Sequence, residues 1–183
     1  ALTEIYFNLI PNAFQEKGGG IKMNSLLVGE QAASLEQVKG TVYKVALTTP
    51  LNPDETLDIK TKYTVQIPNI QNRFGYQESV YNLGNFIVTP AVYVDFGDAF
   101  YTDISNYVVK ITVPEGYTIA APGEKDEEGR YHADKVRDFV FCSSDRYSTL
   151  QDTSGETDIR LYYSDDMIET ANRVMDTTKK ALP

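Results

Sequence analysis

With 183 residues, the chain is long enough to bury a hydrophobic core, either as one large domain or as one domain plus a fragment. Its formal net charge of −9 argues against a nucleic-acid partner, because phosphate binding needs clustered Lys and Arg side chains. No apolar run approaches the roughly 20 residues that a membrane-spanning helix needs, so we expect no membrane span.

Alternation of apolar and polar residues is the main pattern along the chain, and it predicts strands with one buried and one solvated face. It is clearest in residues 57–67, 107–113 and 158–163. Weaker strands are predicted at residues 2–10, 21–28, 41–48, 85–95, 117–121, 131–136 and 139–143. Turn residues separate these segments. The sequence therefore predicts a mainly β fold, built as an antiparallel sandwich or a curved sheet.

The last segment changes to a helical period. Its apolar residues are spaced three or four apart and form one stripe, which comprises Ile168, Ala171, Met175, Thr178 and Leu182. Ser164 or Asp165 can cap the start of this helix. Alone, the stripe can only pack back on the sheet or lie exposed. Because a domain rarely ends on such a helix, and the chain starts with Ala rather than Met, we expect a piece excised from a longer protein.

Residues for intrinsic catalysis are scarce in this sequence. The single His, His132, and the single Cys, Cys142, cannot form the ligand pattern of a zinc hydrolase. No Gly-x-Ser-x-Gly motif and no phosphate-binding loop occur. We expect no catalytic residue, no metal site and no cofactor in this chain, although Asp and Glu oxygens leave a calcium site open. Cys142 is predicted to be structural, His132 to lie on the surface, and the charged run 124–130 to form a hairpin tip.

Several segments, taken in order, resemble the amino-terminal domain of the M1 family of zinc metallopeptidases, the gluzincin aminopeptidases. They are residues 2–14, 46–67, 106–117, 138–144 and 159–163. Arg73-Phe74-Gly75-Tyr76 and Leu83-Gly84-Asn85-Phe86 are similar to bacterial members of that family. The resemblance spans nearly the whole chain.

The resemblance implies a saddle-like antiparallel β-sandwich domain at residues 1–148. Residues 149–183 would then be a linker, one strand and the first helix of a truncated, thermolysin-like catalytic domain. The zinc-binding helix of that family lies later in the chain, so zinc is expected only in the missing part of the parent. The implied partners are the downstream catalytic domain and the parent's peptide substrate.

In that family the amino-terminal domain flanks the active-site cleft and can lend it a polar residue near the substrate amino terminus. The family's usual aromatic-Pro-Cys-x-Asp-Glu-Pro stretch is replaced here by residues 85–93. Asn82, Asn85 and Thr89 are therefore the candidates for substrate contact. As strand-end and turn residues, they can equally serve to hydrogen-bond the backbone.

Two functions are consistent with the sequence. The first is a non-catalytic N-terminal domain that forms one wall of a peptidase cleft. The second is a β-sandwich recognition or scaffold module of a cell-envelope protein with a degenerate peptidase-like region. The missing Cys-x-Asp-Glu-Pro stretch and the many strand Tyr residues favour the second, and the ordered segments favour the first.

Overall fold

The computed structural model describes residues 1–92 and 101–182 of the protein. Within them, antiparallel strands form five sheets and one α-helix ends the described chain. The predicted mainly β class with a C-terminal helix is confirmed. No helix among the described residues is long and apolar enough to span a bilayer.

Two sheets build the amino-terminal part of the fold. The first has the order β4-β5-β1-β9, with β1 at Leu2–Asn8, β4 at Glu36–Lys39, β5 at Val42–Leu51 and β9 at Thr89–Pro90. The second has the order β3-β2-β6, with β2 at Gly20–Val28, β3 at Gln31–Ala32 and β6 at Ile59–Gln66. Phe7, Leu9, Leu26 and Val45 are buried together between them. A 3₁₀ segment, Ile10–Lys17, connects β1 to β2.

Two further sheets build the middle of the chain. One has the order β11-β14-β8-β7, with β7 at Phe74–Gln77, β8 at Val80–Leu83, β11 at Thr118–Ala120 and β14 at Phe141–Ser144. The other has the order β10-β13-β12, with β10 at Ser105–Lys110, β12 at Glu124–Lys125 and β13 at Arg130–Val136. Their core contains Tyr131, Ala133 and the fully buried Phe139.

The carboxyl-terminal part is a hairpin covered by the helix. Strands β15 (Tyr147–Ser154) and β16 (Thr157–Ser164) pair residue for residue along their whole length. Helix α1 (Ile168–Ala181) buries Ala171 and Met175, while Lys179 contacts Asp152 with an Nζ to Oδ2 distance of 2.6 Å. The helix therefore packs on the face of the hairpin that carries Asp152, so Ala171 and Met175 of the predicted stripe pack on the sheet, whereas Ile168 remains 42% exposed.

The three clearest alternating segments are strands, within a few residues of the predicted bounds. The prediction of a strand at 85–95 is wrong for residues 85–88, because Asn85 adopts a left-handed φ of 54° just after the end of β8. Of the described residues in this range, only Thr89–Pro90 form a strand. Residues 93–95 lie outside the described part of the chain. The start of residues 149–183 is strand β15 rather than a linker. Neither Ser164 nor Asp165 caps α1, since Asp165 instead accepts a hydrogen bond from the Ser148 hydroxyl.

Candidate functional site

Asn85 is fixed in a turn by one carboxylate. Strand β8 ends at Leu83, and the chain turns through Gly84 into Asn85. The backbone of Asn85 is left-handed, a conformation that Asn tolerates better than most residues do. The Asn85 backbone N–H and its side-chain Nδ2 both donate to Oδ2 of Asp138, at 2.9 and 3.2 Å. Asp138 is itself anchored because the next residue, Phe139, is fully buried. The two residues therefore form a rigid polar pair.

Thr89 lies on the other side of this pair. It starts β9 and pairs with Asn8 of β1. Between Thr89, Asn85 and Asp138 lies a crevice of about 10 Å³, which is close to the room that one water molecule needs. The crevice is too small to hold any part of a peptide.

Asn82 opens onto a larger depression, which we call the Asn82 groove. It has a volume of about 420 Å³, and its walls comprise Arg73, Asn82, Leu83, Gly84, Asn85, Asp138, Val140, Phe141 and Cys142. Asn82 faces Cys142 across the β8–β14 ladder, and its Nδ2 donates to the backbone carbonyl of Asn72 at 3.3 Å. The structure thus brings Asn82 and Asn85 together in one groove and places Thr89 beside a separate crevice.

The Asn82 groove has the chemistry of a binding surface. Asp138 provides an acceptor and Asn82 a donor, while Val140 provides an apolar wall that is 45% exposed. Burial raises the pKa of the Cys142 thiol, so the groove contains a neutral thiol instead of a nucleophilic thiolate. No His is among the described residues that line the groove, so these residues can bind and orient a ligand but include no nucleophile and base pair.

His132 lies away from this groove, at the β12–β13 hairpin. Its Nε2 is 2.8 Å from Oδ2 of Asp126, and the His132 side chain is 43% exposed, as predicted. The hydrogen bond to His132, followed by the backbone N–H of Arg130, holds the pKa of Asp126 well below its usual range. The charged run does form a hairpin tip, because Glu124 and Lys125 pair with His132 and Tyr131.

A zinc ion has no ligand set in the part of the chain that the structure describes. No three His, Cys, Asp or Glu side chains come together there. The residues present do not fit the catalytic zinc that the M1 resemblance implies, so no metal-dependent step is derived from them.

Comparison with known proteins gives a likeness at the level of fold. No protein-family model matches the sequence, and no curated protein matches it. The similar solved structures include an M1 zinc metallopeptidase from Deinococcus radiodurans, with a TM-score of 0.57, and a two-domain M1 zinc metallopeptidase, a glutamate-to-alanine mutant bound to L-arginine, with a TM-score of 0.56. Identity is 17% in both cases, and the likeness covers 90% of this chain. The chain spans 40% of the length of each.

Asp138 is the functional-site candidate that the sequence analysis missed. It lies in a segment that carries the M1 resemblance, but an acid before two alternate aromatic residues gives no local sign of a partner 53 residues away. Only the pairing of β8 with β14 brings it to Asn85.

Proposed function

We propose that this chain is the non-catalytic N-terminal β-domain of an M1-type zinc metallopeptidase and forms one wall of the substrate cleft. The fold likeness carries the proposal: it extends over nearly all of this chain and less than half of each peptidase chain. The remainder of those chains leaves room for a downstream catalytic domain in the parent. Zinc would be held there, by a His-Glu-x-x-His helix.

Within this proposal, the Asn82 groove is the part of the wall that meets the peptide. Asp138 already accepts two hydrogen bonds from Asn85, but a carboxylate has about four acceptor positions, so it can also accept from a substrate ammonium group. Asn82 would donate to a peptide carbonyl. Thr89 would act only through the position of the Asn85 turn, because its crevice has no room for a ligand.

The coding sequence downstream of Pro183 is the direct test. A zinc-binding helix in the same reading frame supports the proposal. A stop codon at that point, or a continuation without such a helix, would remove the peptidase role. The 183-residue chain on its own is expected to leave aminoacyl reporter substrates uncleaved, with or without added zinc. Chelator-sensitive cleavage by the pure chain would contradict a purely architectural role.

In the parent enzyme, Asn82→Ala is expected to raise KM for peptides about tenfold and to leave kcat nearly unchanged, because the lost hydrogen bond serves binding. Asn24→Ala is the matched control, since Asn24 is an exposed strand amide that bonds only to Thr64 within the described residues. Equal effects of the two variants would argue against a substrate contact at Asn82.

The recognition-module alternative rested partly on strand tyrosines. In the structure several of these rings pack on one another: Tyr76 stacks on Tyr81 at 5.3 Å between centroids, and Tyr81 lies 6.1 Å from Tyr117. All three are half-buried, so their faces are largely used inside the fold. A glycan and peptide array probed with the chain tests this alternative, and saturable binding of a glycan would favour it over the cleft-wall role.

A further inference from the structure

A second groove separates two hairpins and shares no lining residue with the Asn82 groove. We call it the inter-hairpin groove. Its volume is about 840 Å³, within the range of small-molecule sites, and it lies between the β12–β13 hairpin and the β15–β16 hairpin. Gly123 forms part of its wall in a left-handed conformation, where an added Cβ would lie 2.0 Å from the His132 carbonyl oxygen. Only glycine fits at this position of the wall.

Most residues that β15–β16 contributes to this groove lie on the face away from the helix, although Asp152 and Ile159 of the other face also line it. Arg160 pairs with Gln151, and Asp158 pairs with Thr153, so these four side chains lie on one side of the hairpin. The alternate residues, among them Asp152, meet α1. One side of the hairpin is thus used for packing and the other carries polar and charged groups towards the groove.

Two cations in the groove lie beside tyrosines. Tyr162 is two residues from Arg160 on the same face of β16, and its side chain raises the pKa of the Arg160 guanidinium. The Lys125 ammonium lies 5.4 Å from the centre of the Tyr131 ring, and Tyr131 itself is 8% exposed. A guanidinium and an ammonium so placed lose less side-chain freedom when they bind an oxyanion.

Acids line the same groove. Glu124 and Asp158 make no salt bridge within the residues that the structure describes, whereas Asp152 is paired with Lys179. A ligand with a single negative charge would meet these carboxylates as well as the chain's net charge of −9. A ligand with a single positive charge would meet Arg160 and Lys125. Only a ligand that carries both charges can pair with both sets.

We propose that the inter-hairpin groove binds a small zwitterion, a free α-amino acid or a short peptide, with its carboxylate on Arg160 and Lys125 and its ammonium on Glu124 and Asp158. The groove is large enough for either ligand. Both ligands carry an ammonium and a carboxylate on an otherwise neutral backbone. This site does not depend on the peptidase proposal, because all of its residues lie in the described chain and outside the Asn82 groove.

The test is a titration of the 183-residue chain with four probes, followed by amide chemical shifts. Glycine and dialanine carry both charges, acetate carries only the anion, and methylammonium carries only the cation. We expect saturable millimolar binding of glycine or dialanine, with shifts at residues of both hairpins, and at least tenfold weaker binding of acetate and methylammonium. Comparison of glycine with dialanine distinguishes the free amino acid from the peptide as the preferred ligand.

Variants give the second arm of the test. Arg160→Gln and Asp158→Asn are each expected to weaken zwitterion binding about tenfold without a change in the far-UV circular dichroism spectrum. Lys62→Gln, an exposed cation on β6, is the matched control and should leave binding unchanged. Acetate binding as tight as glycine binding, no saturation by either zwitterion, or equal affinity in Arg160→Gln and wild type would each overturn the proposal.

Discussion

The Asn85 turn allows a sharp test, because alanine should destabilise it more than glycine does. Both substitutions remove the side-chain bond to Asp138 and keep the backbone bond. In this half-buried position the lost bond is worth about 1 kcal/mol of unfolding free energy. Alanine then adds about 1.5 kcal/mol, since it is more strained than Asn at a φ of 54°. Glycine carries no such strain, and its greater freedom in the unfolded chain costs about 0.5 kcal/mol.

We therefore expect Asn85→Ala to lower the free energy of unfolding by about 2.5 kcal/mol and Asn85→Gly by about 1.5 kcal/mol. Urea unfolding followed by tyrosine fluorescence measures both, since the chain has thirteen tyrosines and no tryptophan. The same ranking should appear in the melting temperature, at about 2–4 °C per kcal/mol for a chain of this size.

Asn24 provides the control for this ranking. It lies exposed in β2 without a positive φ, so glycine should destabilise there more than alanine, by about 0.5–1 kcal/mol. The order of the two substitutions is thus expected to invert between the two sites. If Asn85→Ala lowers the free energy of unfolding no more than Asn85→Gly does, the left-handed conformation of Asn85 and its role in placing Asp138 are contradicted.

Three further changes test other parts of the fold. Ser143→Ala should raise unfolding free energy by about 1 kcal/mol, because the Ser143 hydroxyl is buried with no hydrogen-bond partner among the described residues; a loss of stability would reveal an undetected partner. Met175→Ala should lower the free energy of unfolding by about 2 kcal/mol, whereas Val174→Ala, at a position that is 43% exposed, should lower it by less than 0.5 kcal/mol. Equal losses in urea unfolding would contradict the assignment of the Met175 face of the helix to the hairpin. Since folding lowers the Asp126 pKa, its contribution to stability is fully present above the ordinary value of 3.8 and declines as pH falls further towards the lowered value; Asp126→Asn should lower the melting temperature more at pH 7 than at pH 2, and a pH-independent difference would contradict this.

The sequence predicted those parts of the fold whose signal is local. In residues 59–66 the alternation is set by one buried and one solvated face, and that contrast is visible in the residue order. The short strands β7 and β8 were missed because each has four residues, too few for alternation to be distinguished, and their hairpin depends on pairing with β14. Helix α1 was predicted because its apolar stripe has the helical period. The period does not explain Val174, an apolar residue that lies on the exposed side of the helix.

The candidate site was less predictable, for a physical reason. Asn82 and Asn85 could be selected as polar residues near a strand end, whereas their grouping with Asp138 depends on contacts between segments more than 50 residues apart. The inter-hairpin groove was not predicted, because its charges come from two hairpins, and each looks like ordinary solvated strand in isolation. A single sequence contains no direct signal for either arrangement.

The proposed division at residue 148 leads to a final prediction about folding. Among the described residues, both buried clusters and the apolar residues packed on them lie between Ile5 and Phe141, so residues 149–182 contribute nothing to either cluster. Strands β15 and β16 pair only with each other in this part of the chain, and the bonds of Asp152 and Ser154 to Lys179 stay within that segment. Residues 1–148 alone should therefore fold, with dispersed amide resonances and a cooperative urea transition. Residues 149–183 alone should be largely unfolded, because a two-stranded hairpin with one helix buries little apolar surface. A molten 1–148 fragment would mean that the hairpin and helix complete the fold rather than begin another domain.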